Sequence, residues 1–146
     1  MDDKQIKAIN KFNLYIVGLI ILMGFCFSTT ATASGTSADT SATVAGEHFR
    51  ITYQSKVVPL PLNRIHSWIL HVETLDGKPV GNAEITVHGG MPAHKHGLPT
   101  EPAITEIGDG DYLVEGIKFS MTGEWQFWFN VRAGEASDEV KFDIKF

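Results

Sequence analysis

The sequence predicts an all-β fold, an immunoglobulin-like β-sandwich of about seven strands, behind an N-terminal export segment. In several short runs, apolar and polar residues alternate with a period of two, the spacing of half-buried strands. Turn-forming residues separate these runs about every 8 to 12 positions, which is typical of a sandwich. No apolar stripe with helical spacing is long enough to predict a helix in the folded part. The chain has 146 residues, which leaves room for one ordinary domain.

The first element is an export signal. Three lysines within residues 2–13 precede residues 14–27, an apolar run of fourteen residues that contains no charge. A permanent membrane helix needs about 20 apolar residues, so this run is short for a span and typical of a signal peptide. Ala31-Thr32-Ala33 offers small residues at the two positions that a signal peptidase recognises. We therefore expect residues 1–33 to be a signal peptide that is cut after Ala33.

The alternative is an uncleaved anchor. Residues 6–12 would lengthen the apolar helix, but Lys7 and Lys11 would then have to be buried. Both interpretations place the following domain outside the cytoplasm, in the periplasm or at the outer face of the cytoplasmic membrane. The only cysteine, Cys26, lies before the expected cut, so the mature chain would contain no thiol and no disulfide.

The rest of the chain divides into a tether and a folded domain. Residues 34–46 are small and polar and offer little to bury, so they are predicted to be a flexible linker. Residues 47–146 carry the strand pattern, and turns are expected at residues 76–79, at residues 108–111 and at Gly134. The predicted strands, in order, contain Phe49 to Tyr53, His66 to Val72, Ala83 to His88, Ala103 to Glu106, Tyr112 to Phe119, Trp125 to Val131 and Val140 to Phe146.

Charge and motif content exclude several functions. The expected mature chain has 9 basic and 15 acidic residues, a formal charge of about −6, and shows no basic stripe, so nucleic acid is not an expected partner. It has no thiol nucleophile, no Gly-x-Ser-x-Gly turn and no phosphate-binding loop. We therefore expect a protein that is not an enzyme.

One segment concentrates residues that bind metals. His88, Met91, His94 and His96 fall within nine positions, on a Gly- and Pro-rich loop that follows a predicted strand. Imidazole nitrogen binds copper, zinc, nickel and iron, whereas thioether sulfur favours soft ions, so this combination indicates copper and in particular Cu(I). The alternative is an ordinary polar loop in which Met91 is an apolar plug. His88, on the outward face of its strand, is the weakest candidate ligand.

Two residues outside this loop could complete such a site. Met121 lies in a turn that could bring a second thioether to the loop, although a methionine there could equally be an edge of the core. His66 opens a predicted strand at the rim of the core, where it could be a ligand or a hydrogen-bonded structural histidine. His48 and His71 are expected to be solvated.

Four segments together resemble a known family. They are Asn63-Arg-Ile-His66-Ser-Trp68, Asp76-Gly-Lys-Pro-Val80, Gly89-Gly-Met91-Pro-x-His94-x-His96-Gly-Leu-Pro-Thr100 and Tyr112-Leu-Val-Glu-Gly-Ile-Lys-Phe119-Ser-Met121. They are similar to the YtkA-like family of small exported domains, which lies near the FixH-like proteins, and the likeness covers about residues 47–146. It implies an immunoglobulin-like sandwich linked to copper handling or respiratory-oxidase assembly, with Met91, His94, His96, Met121 and then His66 as metal ligands.

These observations lead to one expected function and one alternative. The expected function is an exported copper carrier or chaperone that receives the ion from a donor protein or passes it to an acceptor, such as a respiratory-oxidase assembly partner. Membrane contact is expected only through the N-terminal segment, if that segment is not cleaved. The alternative is an immunoglobulin-like interaction module whose loop binds a partner protein and no metal.

Overall fold

The computed structural model describes residues 40–146, which form two antiparallel β-sheets. The expected signal peptide, its cleavage site and the first residues of the expected linker lie outside the described residues. The described part of the chain contains nine strands: β1 (Ser41–Ala45), β2 (Phe49–Ser55), β3 (His66–Thr74), β4 (Glu84–Met91), β5 (His96–Gly97), β6 (Ala103–Gly108), β7 (Asp111–Ile117), β8 (Glu124–Ala133) and β9 (Ala136–Lys145). Within residues 40–146 no helix is long and apolar enough to cross a membrane.

The strand order confirms the predicted fold class. One sheet has the order β1-β2-β3-β7-β6 and the other has the order β5-β4-β8-β9. The two strands beyond the predicted seven are the short edge strands β1 and β5. Strand β1 corrects the predicted linker, because Ser41–Ala45 pair with Arg50–Gln54 of β2. Main-chain hydrogen bonding to a neighbouring strand holds this small, polar segment, which has few apolar side chains to bury.

The core is built mainly from residues that alternate along the predicted strands, although Ile85, Val87 and Phe146, which also alternate, are only partly buried. Trp68 of β3 and Phe127 of β8 are fully buried, and their ring centroids lie 4.8 Å apart, which joins the two sheets. Further alternating residues of β2, β3, β8 and β9 are buried as well: Phe49, Ile51, Tyr53, Leu70, Val72, Trp125, Phe129, Val131, Val140, Phe142 and Ile144. Within residues 40–146 these side chains form one continuous core, and this part of the chain contains no cysteine.

Three loops meet at one end of the sandwich. Strand β2 ends and β3 begins there, β7 ends and β8 begins there, and β4 ends there in its pairing with β5. We call this the loop end, and define it as residues 56–65, 92–102 and 118–123. A bridge from Leu62 to Phe119 and a 2.8 Å hydrogen bond from Asn63 N to Phe119 O connect the first and third of these loops.

Candidate metal centre

A tight hairpin between β4 and β5 places Met91 directly opposite His96. Pro92–His94 form one turn of 3-10 helix, and Lys95 follows in the left-handed conformation at φ 56°. Its backbone N–H donates to Met91 O at 2.9 Å, which closes the reversal. Glycine is needed at position 90, because a Cβ there would lie 2.6 Å from His96 O. The two strands can therefore approach closely enough to pair a thioether residue with an imidazole residue.

The hairpin also brings the two exposed histidines together. The ring centroids of His94 and His96 are 6.0 Å apart, and both side chains are exposed. Nδ1 of His96 lies 3.0 Å from Gly97 O, so in the tautomer that donates this hydrogen bond Nε2 keeps its lone pair. An imidazole that is oriented through Nδ1 and open at Nε2 is a common metal ligand.

The two methionines differ in exposure. Met91 is 1% exposed, and its methyl group packs so close to Gly123 that a Cβ there would lie 2.6 Å from it. Met121 lies on the loop between β7 and β8 and is 37% exposed. Because Gly123 is only two residues after Met121, the buried thioether of Met91 contacts the same turn that carries the exposed one.

Trp125 is a shared neighbour of these residues. Its indole N–H donates to Met121 O at 3.1 Å, which fixes the turn that carries Met121. His96 contacts the same ring in an edge arrangement, with centroids 5.7 Å apart. The sequence pattern identified Trp125 only as a core residue. A buried indole N–H needs a hydrogen-bond partner. That requirement was the feature of the sequence from which a contact between Trp125 and a nearby loop could have been expected.

His66 is separated from the exposed pair by aromatic rings. It is buried at the start of β3 and stacks on Phe119 at 5.4 Å, while Phe119 contacts Trp125 at 5.3 Å. Burial lowers the pKa of His66, and the interaction of its Nδ1 with Arg64 O only partly opposes that shift. Within the described residues its Nε2 has no hydrogen-bond partner. The structure thus makes His66 a neutral core residue with no ring contact to His94 or His96.

The remaining histidines lie away from this region. His88 is exposed on the outer face of β4, as expected, and stacks on Trp128 at 5.2 Å. His48 and His71 were expected to be solvated, and their side chains are 45% and 38% exposed, but each also lies beside a carboxylate. His71 Nδ1 lies 2.5 Å from Asp111 Oδ1, and His48 Nδ1 lies 3.1 Å from Asp138 Oδ1. Asp111 is on β7, which pairs with β3, whereas Asp138 is on β9 of the other sheet. A single sequence does not show such pairings.

The side-chain metal donors of the β4–β5 hairpin, Met91, His94 and His96, are all neutral groups. Within residues 40–146, no group of three His, Cys, Asp or Glu side chains is close enough to hold a metal ion. Any ion bound at the hairpin would therefore depend on methionine sulfur to complete its coordination. Two imidazoles and thioethers without a carboxylate suit a soft, monovalent ion better than a hard or divalent one.

Comparison with known proteins agrees with the fold and the hairpin motif. The profile that describes YtkA-like proteins matches residues 42–128, well over half of the chain. The chain belongs to the YtkA-like family. The match includes the β4–β5 hairpin and Met121, and it confirms the family that the sequence motifs indicated.

Solved structures add support for the architecture. The YtkA-like domain is similar to the crystal structure of a DUF4426 family protein from Pseudomonas aeruginosa, with a TM-score of 0.55 and 15% sequence identity. The alignment covers 73% of this chain and 94% of that chain. At this identity the likeness shows the fold alone. No curated protein matches the chain.

Proposed function

We propose that this YtkA-like protein is an exported copper-binding protein that holds and transfers Cu(I) through Met91, His94, His96 and Met121. The observation that carries the proposal is the pairing of Met91 with His96 across β4 and β5, beside a second exposed histidine. His94 and His96 would bind through imidazole nitrogen at the surface. Met121 would supply an exposed thioether, and Met91 would supply a second one from the buried side.

The donor set favours Cu(I) over zinc and Cu(II). Zinc sites in proteins are usually built from three or four His, Cys or carboxylate ligands, and the described residues contain no such group. Thioether sulfur is a soft donor that selects Cu(I). Methionine also resists the disulfide chemistry that threatens a cysteine ligand outside the cytoplasm.

The exposure of the proposed ligands supports a role as a copper carrier. An ion at the surface of the hairpin would be within reach of a partner protein, and His94, His96 and Met121 are all exposed. The partner would be a copper donor or acceptor, for which a respiratory-oxidase assembly protein is one candidate. The predicted signal peptide supports a location in the periplasm or at the outer face of the cytoplasmic membrane.

A metal count tests this proposal. The protein, purified in the form that the cell exports, is incubated separately with Cu(I) under reducing conditions, with Cu(II) and with Zn(II), then dialysed and analysed for bound metal. We expect about one Cu(I) per chain and much less retained zinc. His88→Ala is the matched control, because His88 stacks on Trp128 outside the proposed ligand set. Retention of no metal would reject the proposal.

One observation favours the second candidate function, binding of a partner protein without metal. A shallow depression beside the hairpin has a mainly apolar lining, to which Gly89, Gly90 and Trp128 contribute together with the proposed ligands Met91 and His96. A flat apolar surface beside a rigid loop is a common feature of protein contacts. A protein that retains no copper yet binds a partner through this surface would support this function instead.

A further inference from the structure

Apolar side chains are exposed mainly at the loop end. Seven large hydrophobic residues are exposed among the described residues, and five of them lie in the loops of this end. Val58 is 72% exposed and Ile65 is 67% exposed, and both belong to the loop between β2 and β3. The others are Val57, Leu62 and Met121. A concentration of this kind marks an interaction surface, since single exposed hydrophobic residues are normally scattered.

The charge of the loop end is opposite to that of the domain. Residues 40–146 contain fourteen acidic and nine basic residues, yet the loop end has four basic residues and a single acidic one, Glu101. The four are Lys56, Arg64, Lys95 and Lys118. Within the described residues none of these four forms an ion pair with a carboxylate, whereas Arg50, Lys78, Lys141 and Lys145 each form one. The cations at the loop end are therefore available to an external anionic partner.

The chain also enters the domain at this end. Ser41, the first residue of β1, pairs with Gln54, and Ser55 N donates to Thr40 O at 2.7 Å next to residue 56. In the sequence, twelve residues separate the end of the apolar run of residues 14–27 from Thr40. In the sequence, the segment that is expected to direct the chain to a membrane therefore precedes a strand that begins at the end with exposed apolar and basic side chains.

We propose that the loop end is a docking surface for an anionic phospholipid bilayer. Val58 and Ile65 would enter the interface between headgroups and acyl chains, and Lys56, Arg64 and Lys118 would contact lipid phosphates. Basic residues next to a negatively charged leaflet strengthen such binding, and exposed apolar side chains add buried area. The proposed ligands His94, His96 and Met121 lie at the same end of the sandwich. None of the five residues assigned to the bilayer contact is a proposed ligand, so the contact goes beyond the proposed copper function and does not require it.

A site-specific fluorophore tests the contact in the protein purified in the form that the cell exports. The expected mature chain contains no cysteine, and Cys26→Ser is added where residue 26 is retained, so that Ile65→Cys alone accepts an environment-sensitive label in metal-free protein. The matched control is Ile107→Cys, because Ile107 is also exposed but lies near the end of β6 that is opposite the loop end. Each labelled protein is added to phosphatidylcholine vesicles with or without one quarter phosphatidylglycerol. If a labelled Ile65 variant does not fold, Val58→Cys takes its place.

We expect the label at position 65 to brighten and shift to the blue with the anionic vesicles, and the label at position 107 to stay in water. Reversing the charges of Lys56, Arg64 and Lys118 to glutamate should weaken this response by about a hundredfold in lipid concentration. An equal response at both positions, or no response at position 65, would overturn the proposal. The proposal would also be overturned if the label at position 65 responded to an added periplasmic protein but not to vesicles, because the surface would then bind protein.

Discussion

Met91 and His96 occupy directly opposite positions in the two-residue pairing of β4 and β5, although one side chain is buried and the other is exposed. A directly opposed pair in an antiparallel ladder has its Cβ atoms about 5 Å apart and on the same face. The hairpin therefore holds a thioether residue and an imidazole residue in a fixed relationship before any ion arrives. Such prior organisation reduces the entropy that binding would cost.

This pairing depends on the absence of a side chain at position 90. We expect Gly90→Ala to lower the affinity for Cu(I) by at least about tenfold, because the new Cβ would lie 2.6 Å from His96 O and force the strands apart. Gly97→Ala is the matched control, since its Cβ would meet only Gly89 O, at 3.4 Å. Titration with a competing Cu(I) chelator measures both. Equal affinities for the two variants would show that the strand pairing does not position the ligands.

The contact between Trp68 and Phe127 is expected to dominate stability. Both rings are fully buried on facing sheets, so replacing either with alanine removes a large apolar side chain and leaves a cavity. Each substitution should lower the free energy of unfolding by about 3 to 5 kcal/mol, which a small domain without a disulfide can barely tolerate. Urea denaturation followed by tryptophan fluorescence measures the Phe127 variant. A loss below about 1 kcal/mol would mean that this contact is not part of the core.

Asp138 is expected to make the domain sensitive to acid. Burial alone would raise the pKa of this carboxyl, but hydrogen bonds from the backbone N–H groups of His48 and Phe49, together with the His48 ring, outweigh that effect and lower it. A lowered folded pKa means that the stabilisation is complete above the ordinary value near 3.8 and is lost as the pH falls through the folded value.

Replacing Asp138 with asparagine should therefore cost about 2 kcal/mol at pH 7 and almost nothing at the lowest pH at which the domain stays folded. Thermal unfolding at several pH values between about 2 and 7 measures the difference. Glu139→Gln is the matched control, because Glu139 is the exposed neighbour on the same strand. A constant difference between wild type and Asp138→Asn over that range would contradict the assigned role of the carboxylate.

Processing of the N-terminus gives an independent prediction. If Ala31-Thr32-Ala33 is the cleavage site, the exported protein should begin at Ser34, and intact mass spectrometry should show the loss of residues 1–33. Replacing Ala33 with a bulky residue such as phenylalanine should block the cut. A full-length protein that remains in the membrane would support the uncleaved anchor.

Much of the fold could be predicted because the apolar pattern has a clear period. Trp68, Leu70 and Val72 alternate without interruption, and all three are buried. The strands β1 and β5 were missed for the opposite reason. Ser41–Ala45 and His96–Gly97 have little apolar periodicity, and main-chain pairing with β2 and β4 holds them in place. Pairing of this kind depends on residues that are distant in sequence or on a turn geometry that composition does not specify.

The candidate site was only partly predictable for a similar reason. Proximity in sequence was enough to group Met91, His94 and His96. In the structure all three lie in one hairpin, where Met91 pairs with His96 and the rings of His94 and His96 are close together. The position of His66 was set by packing, since Phe119 covers its ring. Trp125 was missed as a positioning residue because its hydrogen bond to Met121 O depends on how the loop after β7 returns to β8.

The dependence of Cu(I) affinity on pH, compared between thioether and imidazole variants, tests the proposed site most directly. Protons compete with metal for imidazole, which ordinarily titrates near pH 6.5, but do not compete for thioether sulfur. Replacing Met91 or Met121 with leucine preserves the side-chain volume, so each variant should stay folded. Each should bind Cu(I) at least about tenfold more weakly than wild type at pH 7. Its affinity should still fall as the pH is lowered to about 5, because both histidines remain. The double variant His94→Ala/His96→Ala should bind weakly with little pH dependence. Leucine variants that bind Cu(I) as tightly as wild type across this range would contradict the proposal, because the thioethers would then serve only to pack the loop.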